Sequence, residues 1–346
     1  MEINLGKLPF DLDFHPSSPL VAAALINGDL HLYRYAADAQ PERLLAIRAH
    51  DESCRAVRFV DSGRVILTAS PDCSILATDV ETGTTIARLE DAHGYVDIDR
   101  CCPVLQVWDT RQRVCCNSFQ ANEDYISDMT FAADTTQLLA TRHVLHFYLV
   151  GDGSLSVCNL RKSKVQSRSE FSEDELLSLV IVKNGRKVIC GTQTGALLLY
   201  SWGHFKDCSD RFLGHPMSVD TLLKLDEDTI ISGSEDGVIR LVGILPNRII
   251  QPLAEHSEYP IERLDFSHDR KFLASISHDQ MMKLWDLQEL LDGNQMTQDG
   301  LPDEADSDDD EMDVDFKPAE SSKKSKRKRQ GKSRSSTSVS DFFADL

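Results

Sequence analysis

Apolar residues recur along this chain in short runs that partly alternate with polar ones, and each run stops at a cluster of turn-forming residues. The cleanest stretch is residues 254–287, "AEHSEYPIERLDFSHDRKFLASISHDQMMKLWDL". It holds three runs, Ile261–Phe266, Phe272–Ser275 and Met281–Trp285, divided by two Ser-His-Asp turns. Such runs predict consecutive antiparallel strands. A helix would instead place its apolar residues three or four apart.

The same unit recurs upstream. From the leading histidine to the Trp-equivalent position is 28 residues for His50–Thr78, 27 for His215–Val242 and 29 for His256–Trp285. His50 to His93 is 43 positions, and His215 to His256 is 41. A period just above 40 with four strands per unit resembles the WD40 repeat, which implies a β-propeller. More divergent units begin at "LDFHPSSP", with Tyr33 at the Trp position, and at "LLSLVIVK", with Tyr200 there. Another carries Cys158-Asn159 in place of Trp-Asp. With Trp108-Asp109 as the remains of a third, the units total seven over residues 1–290. After Trp285 the chain reads "DLQELLDGNQ", helical or loop-like, so the last unit lacks a fourth strand. Residues 2–8 are its natural donor, closing the ring and removing exposed sheet edges.

Trp108 arrives early, only 15 positions after His93, so the third unit is short by about 13 residues, one strand and its turn. The fourth errs the other way: Asn122 to Cys158 is 36, about eight too many, with the excess at "RHVLHFYLV" (142–150). A splice variant or a mis-drawn exon boundary produces such a neighbouring pair. The predicted fold is therefore all-β, a seven-bladed propeller with blade three truncated and a disordered tail over 291–346. Because repeat stability sums unit and nearest-neighbour terms, the truncation weakens two interfaces as well as one blade.

Resemblance to the WD40 repeat implies that His256 bonds Asp279, with Ser275 and Trp285 completing a chain that fixes the turns. Blade two offers His50, Thr68 and Asp72 but has Thr78 for Trp; blade six offers His215, Ser232 and Asp236 but has Val242. These Ser/His/Asp sets resemble catalytic groupings. Their recurrence once per blade favours a structural role, since an active site would occur once.

Composition narrows the function. The apolar share of 41% supplies a core, and the longest apolar runs are too short to span a bilayer. The start, "MEINLGKLPF", carries no secretory signal pattern. Nine cysteines without a regular framework, and no Asn-x-Ser/Thr sequon, suggest a reducing compartment. The adjacent pairs Cys101–Cys102 and Cys115–Cys116 are poor chelators, because neighbouring strand residues point to opposite faces. Buried, inert thiols are the expectation, and no metal or cofactor is expected. Net charge is −19, and residues 1–299 carry 44 acidic and 28 basic residues. Such a body repels phosphate backbones, so nucleic-acid binding by the propeller is disfavoured.

From Asp303 the chain changes to "DEADSDDDEMDVDF", then "KKSKRKRQGKSRSS", then "DFFADL". Blocks of like charge do not pack and read as disorder. Ser307 precedes four acidic residues and suits an acidophilic kinase. Lys323, Lys324, Lys326, Arg327, Lys328 and Arg329 read as a nuclear, and nucleolar, import signal; a non-specific RNA contact is the alternative. Phe342, Phe343 and Leu346 offer a partner an apolar anchor, or are a plain disordered end.

The seven units, "SEFSEDELLS", "GILPNRIIQP", "FSHDRKFLASISHDQMMKLWDL" and the acidic-then-basic tail together resemble the WD repeat-containing protein 55 family, most closely its plant members. The resemblance implies a non-enzymatic nuclear scaffold, monomeric within a complex, with a possible cytoplasmic pool. Plant members are linked to the cullin-4 ligase adaptor and to reproductive and embryo development. Animal and fungal relatives are linked to ribosomal RNA processing, which makes pre-ribosomal proteins the other partner class. Trp108, Asp109 and Arg111 match the Trp-Asp-x-Arg signature of cullin-4 receptors, and Arg161 of "CNLR" sits at the equivalent place one blade on. An ordinary strand end with a solvated arginine is the bland alternative.

Overall fold

The computed structural model describes residues 1–37, 39–89, 104–109, 114–120, 126–132, 137–142 and 153–292. Strands form wherever the short apolar runs lie, and among the described residues they make six four-stranded antiparallel sheets and one two-stranded sheet. Blade one runs Pro9–Phe14, Leu20–Leu25, Asp29–Ala36, Ala39–Arg48; blade two runs Ala56–Val60, Val65–Ser70, Ser74–Asp79, Thr85–Leu89. Blade three has Val104–Asp109 and Val114–Gln120. Blade four has Ile126–Phe131, Gln137–Arg142, Leu155–Asn159 and Lys164–Arg168. Blades five and six run from Leu176–Val182 to Asp210–Leu213 and from Val219–Lys224 to Arg248–Glu255. Blade seven has Ile261–Phe266, Phe272–Ser277 and Met281–Asp286, and a short helix, Leu287–Asp292, follows it.

The fourth strand of blade seven is Glu2–Asn4, antiparallel to Met281–Lys283. Leu5 N–H extends the ladder to the Gln280 carbonyl at 2.9 Å. The strand is shorter than the residues 2–8 expected. Gly6 adopts φ +70°, where an L-residue is strained, and turns the chain away toward blade one. Ile3 and Leu5 are 6% and 4% exposed and lie in one cluster with Met282, Leu284, Leu12, Val21 and Tyr35, which binds blade seven to blade one.

Alternation puts each strand's two sets of side chains against two neighbouring blades. Leu30, Leu32, Val57 and Ile66 pack between blades one and two. Leu197, Leu199, Leu222 and Ile230 pack between five and six. Ile231, Ile239, Ile261 and Leu264 pack between six and seven. Innermost strands are also stitched by side-chain-to-backbone bonds. Asp11 accepts from Val57 N–H at 2.9 Å, Asp128 from Leu179 N–H at 2.9 Å, and Ser178 donates to the Val219 carbonyl at 2.9 Å.

Blade three breaks this pattern. Its described strands pair with each other and pack on blade four, where Phe119 meets Cys158 beside Val107, Val165 and Ile126 of the innermost strand. Among the described residues, blade three shows two strands. The reading of Cys115–Cys116 as buried thiols is corrected: both are exposed and outside any disulfide, because their strand is the outermost of its blade. Cys101 and Cys102 lie outside the described residues. Of the 142–150 insert, Arg142 ends a strand of blade four and the remainder lies outside them. Among the described residues, no helix is long and apolar enough to cross a membrane.

Candidate docking site at blades three and four

In blade seven the side chains of the last repeat form one chain of hydrogen bonds. Trp285 Nε1–H donates to Ser275 Oγ at 2.8 Å, Ser275 Oγ lies 2.7 Å from His256 Nε2, and His256 Nδ1 lies 2.8 Å from Asp279 Oδ2. Asp279 can only accept when ionised, so a neutral His256 carries its proton on Nδ1 and takes the serine proton on Nε2. Burial holds the His256 pKa below the usual value, against the opposing pull of Asp279. His256 and Ser275 are 0% exposed, so no substrate reaches this serine. The set fixes the turns around blade seven.

Blade two repeats the arrangement in part. His50 Nε2 lies 2.9 Å from Thr68 Oγ1 and His50 Nδ1 lies 3.0 Å from Asp72 Oδ2. Thr78, at the Trp position, leaves its own hydroxyl buried with no hydrogen-bond partner. Blade six departs from the sequence reading. His215 Nε2 meets Ser232 Oγ at 2.8 Å, but Asp236 is claimed by a bidentate fork from Arg240, at 3.0 and 2.6 Å. His215 Nδ1 is left buried without a partner. Burial first, and then the Arg240 charge, push the His215 pKa down to about 4.

The Asp of the Trp-Asp pair has its own local task. Asp286 Oδ1 accepts from the N–H groups of Gln288 and Glu289 at 3.0 and 3.2 Å, and Asp79 Oδ1 from Glu81 and Thr82 at 3.1 and 2.8 Å. Asn159 Oδ1 accepts from Lys162 N–H at 2.9 Å. After Asp286 the side chain caps the first turn of the helix Leu287–Asp292, and after Asp79 and Asn159 it caps the turn into the outermost strand. Two positions on, that turn presents its side chain outward.

That outward position is Arg161 in blade four, exposed and with no hydrogen bond or ion pair to any described residue. Its turn is held from blade three by Asn117 Nδ2, which donates to the Leu160 carbonyl at 3.4 Å and to Ser163 Oγ at 2.9 Å. In blade three, Trp108 and Asp109 end the strand Val104–Asp109, opposite Cys115 and Val114, with a bulge between Val107 and Trp108. Arg111 lies outside the described residues. So do Ser307, the basic positions Lys323, Lys324, Lys326, Arg327, Lys328 and Arg329, and the terminal Phe342, Phe343 and Leu346.

The sequence reading missed a polar set on the innermost strands. Arg263 of blade seven lies 3.5 Å from Asp11 of blade one and 3.5 Å from Asp128 of blade four. Burial raises Asp265 to about 7 and Asp13 to about 6, and their mutual repulsion adds to the first shift. The signal was present as acidic residues inside otherwise apolar runs, in "FDLDF", "SDMTF" and "RLDF". Among the described residues, no group of His, Cys, Asp and Glu is arranged to hold a metal ion.

A family model described as WDR55 matches residues 1–290. WD repeat-containing protein 55 of Arabidopsis thaliana is 60% identical over 309 residues, covering 85% of this chain and 84% of the relative. The WD repeat-containing protein 55 homolog of Dictyostelium discoideum is 36% identical, covering 83% of this chain and 70% of the relative. WD repeat-containing protein 55 of Homo sapiens is 33% identical over 81% of this chain and 74% of its own length. Both the extent of the family match and these identities lead to one assignment: the chain belongs to the WD repeat-containing protein 55 family.

Proposed function

We propose that this non-enzymatic WD-repeat scaffold is a nuclear substrate receptor that docks on the adaptor of a cullin-4 ubiquitin ligase through Arg111 and Arg161. The observation that carries the reading is Arg161, an exposed guanidinium at the turn after the Trp-equivalent strand, with no partner among the described residues. A planar guanidinium pairs bidentately with carboxylates in a way that lysine does not. The Trp108-Asp109-x-Arg111 match supports a second such group in the preceding unit. The part in plant reproductive and embryo development rests on the resemblance to plant members, one of which, from Arabidopsis, is 60% identical.

A second reading, a nucleolar scaffold for ribosome assembly, is favoured by the acidic-then-basic tail, whose block Lys323–Arg329 suits an import receptor. The two readings separate in a pull-down with purified cullin-4 adaptor. Replacing Arg111 and Arg161 together by Ala abolishes capture on the ligase reading and leaves the thermal midpoint within about 1 °C, as expected for changes that remove no core contact. Equal capture by the parent and the double variant removes that reading and leaves ribosome assembly as the better one.

A further inference from the structure

Blade one carries an arginine on a face that otherwise packs apolar side chains. Alternate residues of its strand Asp29–Ala36 serve different neighbours: Leu30 and Leu32 pack toward blade two, Tyr33 and Tyr35 toward blade seven. In the paired outermost strand, Leu45 and Ile47 also pack toward blade two. Strict alternation would turn Arg43 the same way and put Leu44 on the side of blade seven. The ladder slips instead. Leu32 pairs with Leu45 but Tyr33 pairs with Arg43, which leaves Leu44 as the extra residue of a bulge. A bulge re-aims the side chains beside it. This one sets Arg43 opposite Tyr33, on the side of blade seven, where regular pairing would have put a leucine.

Blade seven does not cover this place. Its closing strand, Glu2–Asn4, is 3 residues long, whereas the outermost strand of blade one, Ala39–Arg48, is 10. The mismatch leaves a groove of about 340 Å³ with Glu2, Ile3 and Asn4 on one side and Tyr33, Gln40 and Arg43 on the other. The wall behind Arg43 is firm: Tyr33 and His31 are 4% and 6% exposed, and Tyr33 Oη lies 3.2 Å from His31 Nδ1. Burial first, and then the Arg43 charge, hold the His31 pKa below the usual value, so the guanidinium carries the charge here. Among the described residues no carboxylate forms an ion pair with Arg43. Glu42 is taken by Arg34 and Glu2 by Lys283, each at 3.4 Å.

The short strand also presents backbone. Met1 exchanges both of its backbone bonds with Leu284, and Leu5 N–H donates to the Gln280 carbonyl. In an antiparallel ladder such residues alternate with ones whose N–H and C=O point away from the partner strand. Glu2 and Asn4 are those residues, and among the described residues no strand pairs with them on that side. The helix Leu287–Asp292 lies elsewhere, in the cluster between blades six and seven.

We propose that this groove binds an extended acidic peptide segment of a partner protein, with one carboxylate on Arg43 and main chain on the outward backbone groups of Glu2 and Asn4. A guanidinium takes a carboxylate through two parallel hydrogen bonds, and an added strand draws its affinity from the sheet edge. Charge makes the groove selective. With a net charge of −19 the chain repels an acidic segment over most of its surface, so attraction is confined to cations without a carboxylate of their own. The site is independent of Arg111 and Arg161, and either can fail without the other.

The probe is a labelled synthetic peptide in which Glu alternates with Val, titrated into the full-length chain by fluorescence anisotropy at low ionic strength. Saturable binding is expected, weakening as salt rises. The same peptide with Gln for Glu binds about tenfold more weakly or worse, and Arg43→Gln in the protein costs as much. Arg43→Lys recovers only part of the loss, because an ammonium lacks the planar fork. Arg248→Gln, at an exposed residue of blade six, leaves binding unchanged. Circular dichroism establishes that each variant is folded. Amide exchange supplies an independent readout: the peptide slows it at Glu2 and Asn4 but not at Ile3, which already pairs with Met282. Absence of binding overturns the proposal, as do equal binding by Arg43→Gln and unchanged exchange at Glu2 and Asn4 in the saturated complex. Binding that appears only once residues 293–346 are removed also overturns it, since the chain's own acidic segment would then be the occupant.

Discussion

At the seam between blades six and seven, Ile231, Ile239 and Leu241 meet Ile261, Leu264 and Leu273, and all six are nearly or wholly buried. At the seam between blades two and three the same strand positions hold Leu67, Ile75 and Ala77, and all three are only partly buried. The local structure of the two blades is alike: Ile231 pairs with Leu223 and Leu241, and Leu67 pairs with Arg58 and Ala77. Burial in a propeller therefore belongs to the neighbouring blade as much as to the residue itself. A strand can be formed, registered and apolar, and still contribute little when the facing sheet is short.

The closing strand tests that principle most severely. Deleting Met1–Leu5 removes the edge partner of Met281–Lys283 and uncovers the cluster that Ile3 and Leu5 share with blade one. Burial of those two side chains stabilises by about 1.5–3 kcal/mol each. The thermal midpoint is expected to fall by about 10 °C or more, given roughly 2–4 °C per kcal/mol in a domain of this size. A midpoint within about 2 °C of the parent, measured by scanning calorimetry, would show that blade seven is stable with three strands.

A matched pair of truncations sharpens the comparison. Ile231→Ala opens a cavity in a closed seam and is expected to cost about 2–5 kcal/mol. Leu67→Ala, at the equivalent position of the open seam, is expected to cost about 1 kcal/mol or less. Urea midpoints at unchanged slope give both values. Equal costs would mean that Leu67 is as tightly packed as Ile231.

Much of this architecture was legible in the chain. The seven units, the early Trp108 and the borrowed N-terminal strand all follow from spacing, because a repeat that shares one hydrogen-bonded set keeps its members at fixed intervals. Competition between side chains was not legible. His215, Ser232 and Asp236 have the right spacing, yet Arg240 reaches back from the following strand and takes Asp236. Spacing names a set's members but not a rival donor one strand away. The Arg263–Asp11–Asp128 grouping was hidden for a related reason. It joins three units at the inner edge, and no interval within one unit reports contact between units.

The same inner edge shows that a closed seam also carries repulsion. Asp13 and Asp265 stand on the innermost strands of blades one and seven, and burial is the largest cause of their raised pKa values, about 6 and about 7. Asp220 of blade six is raised to about 6, again chiefly by burial. An unfolded Asp titrates near ~3.9. The folded state therefore binds these protons more tightly, and their contribution to stability is fully present below about pH 4 and is lost as pH rises through about 6 to 7. Asp236 is shifted the other way. Its carboxylate is held below the usual range by hydrogen bonds from Arg240 and the Val238 N–H, which outweigh its burial, so its contribution is lost as pH falls. Asp265→Asn keeps the side chain's size and an acceptor for the Phe266 N–H, 2.8 Å away, while removing the charge that repels Asp13. It is expected to raise the thermal midpoint by a few degrees at pH 8 and to leave it nearly unchanged at pH 4, where the parent carboxyl is already protonated. A midpoint that falls at pH 8 would show that the Asp265 charge is needed by Arg58 and Arg263, and that attraction outweighs repulsion at the seam of blades seven and one.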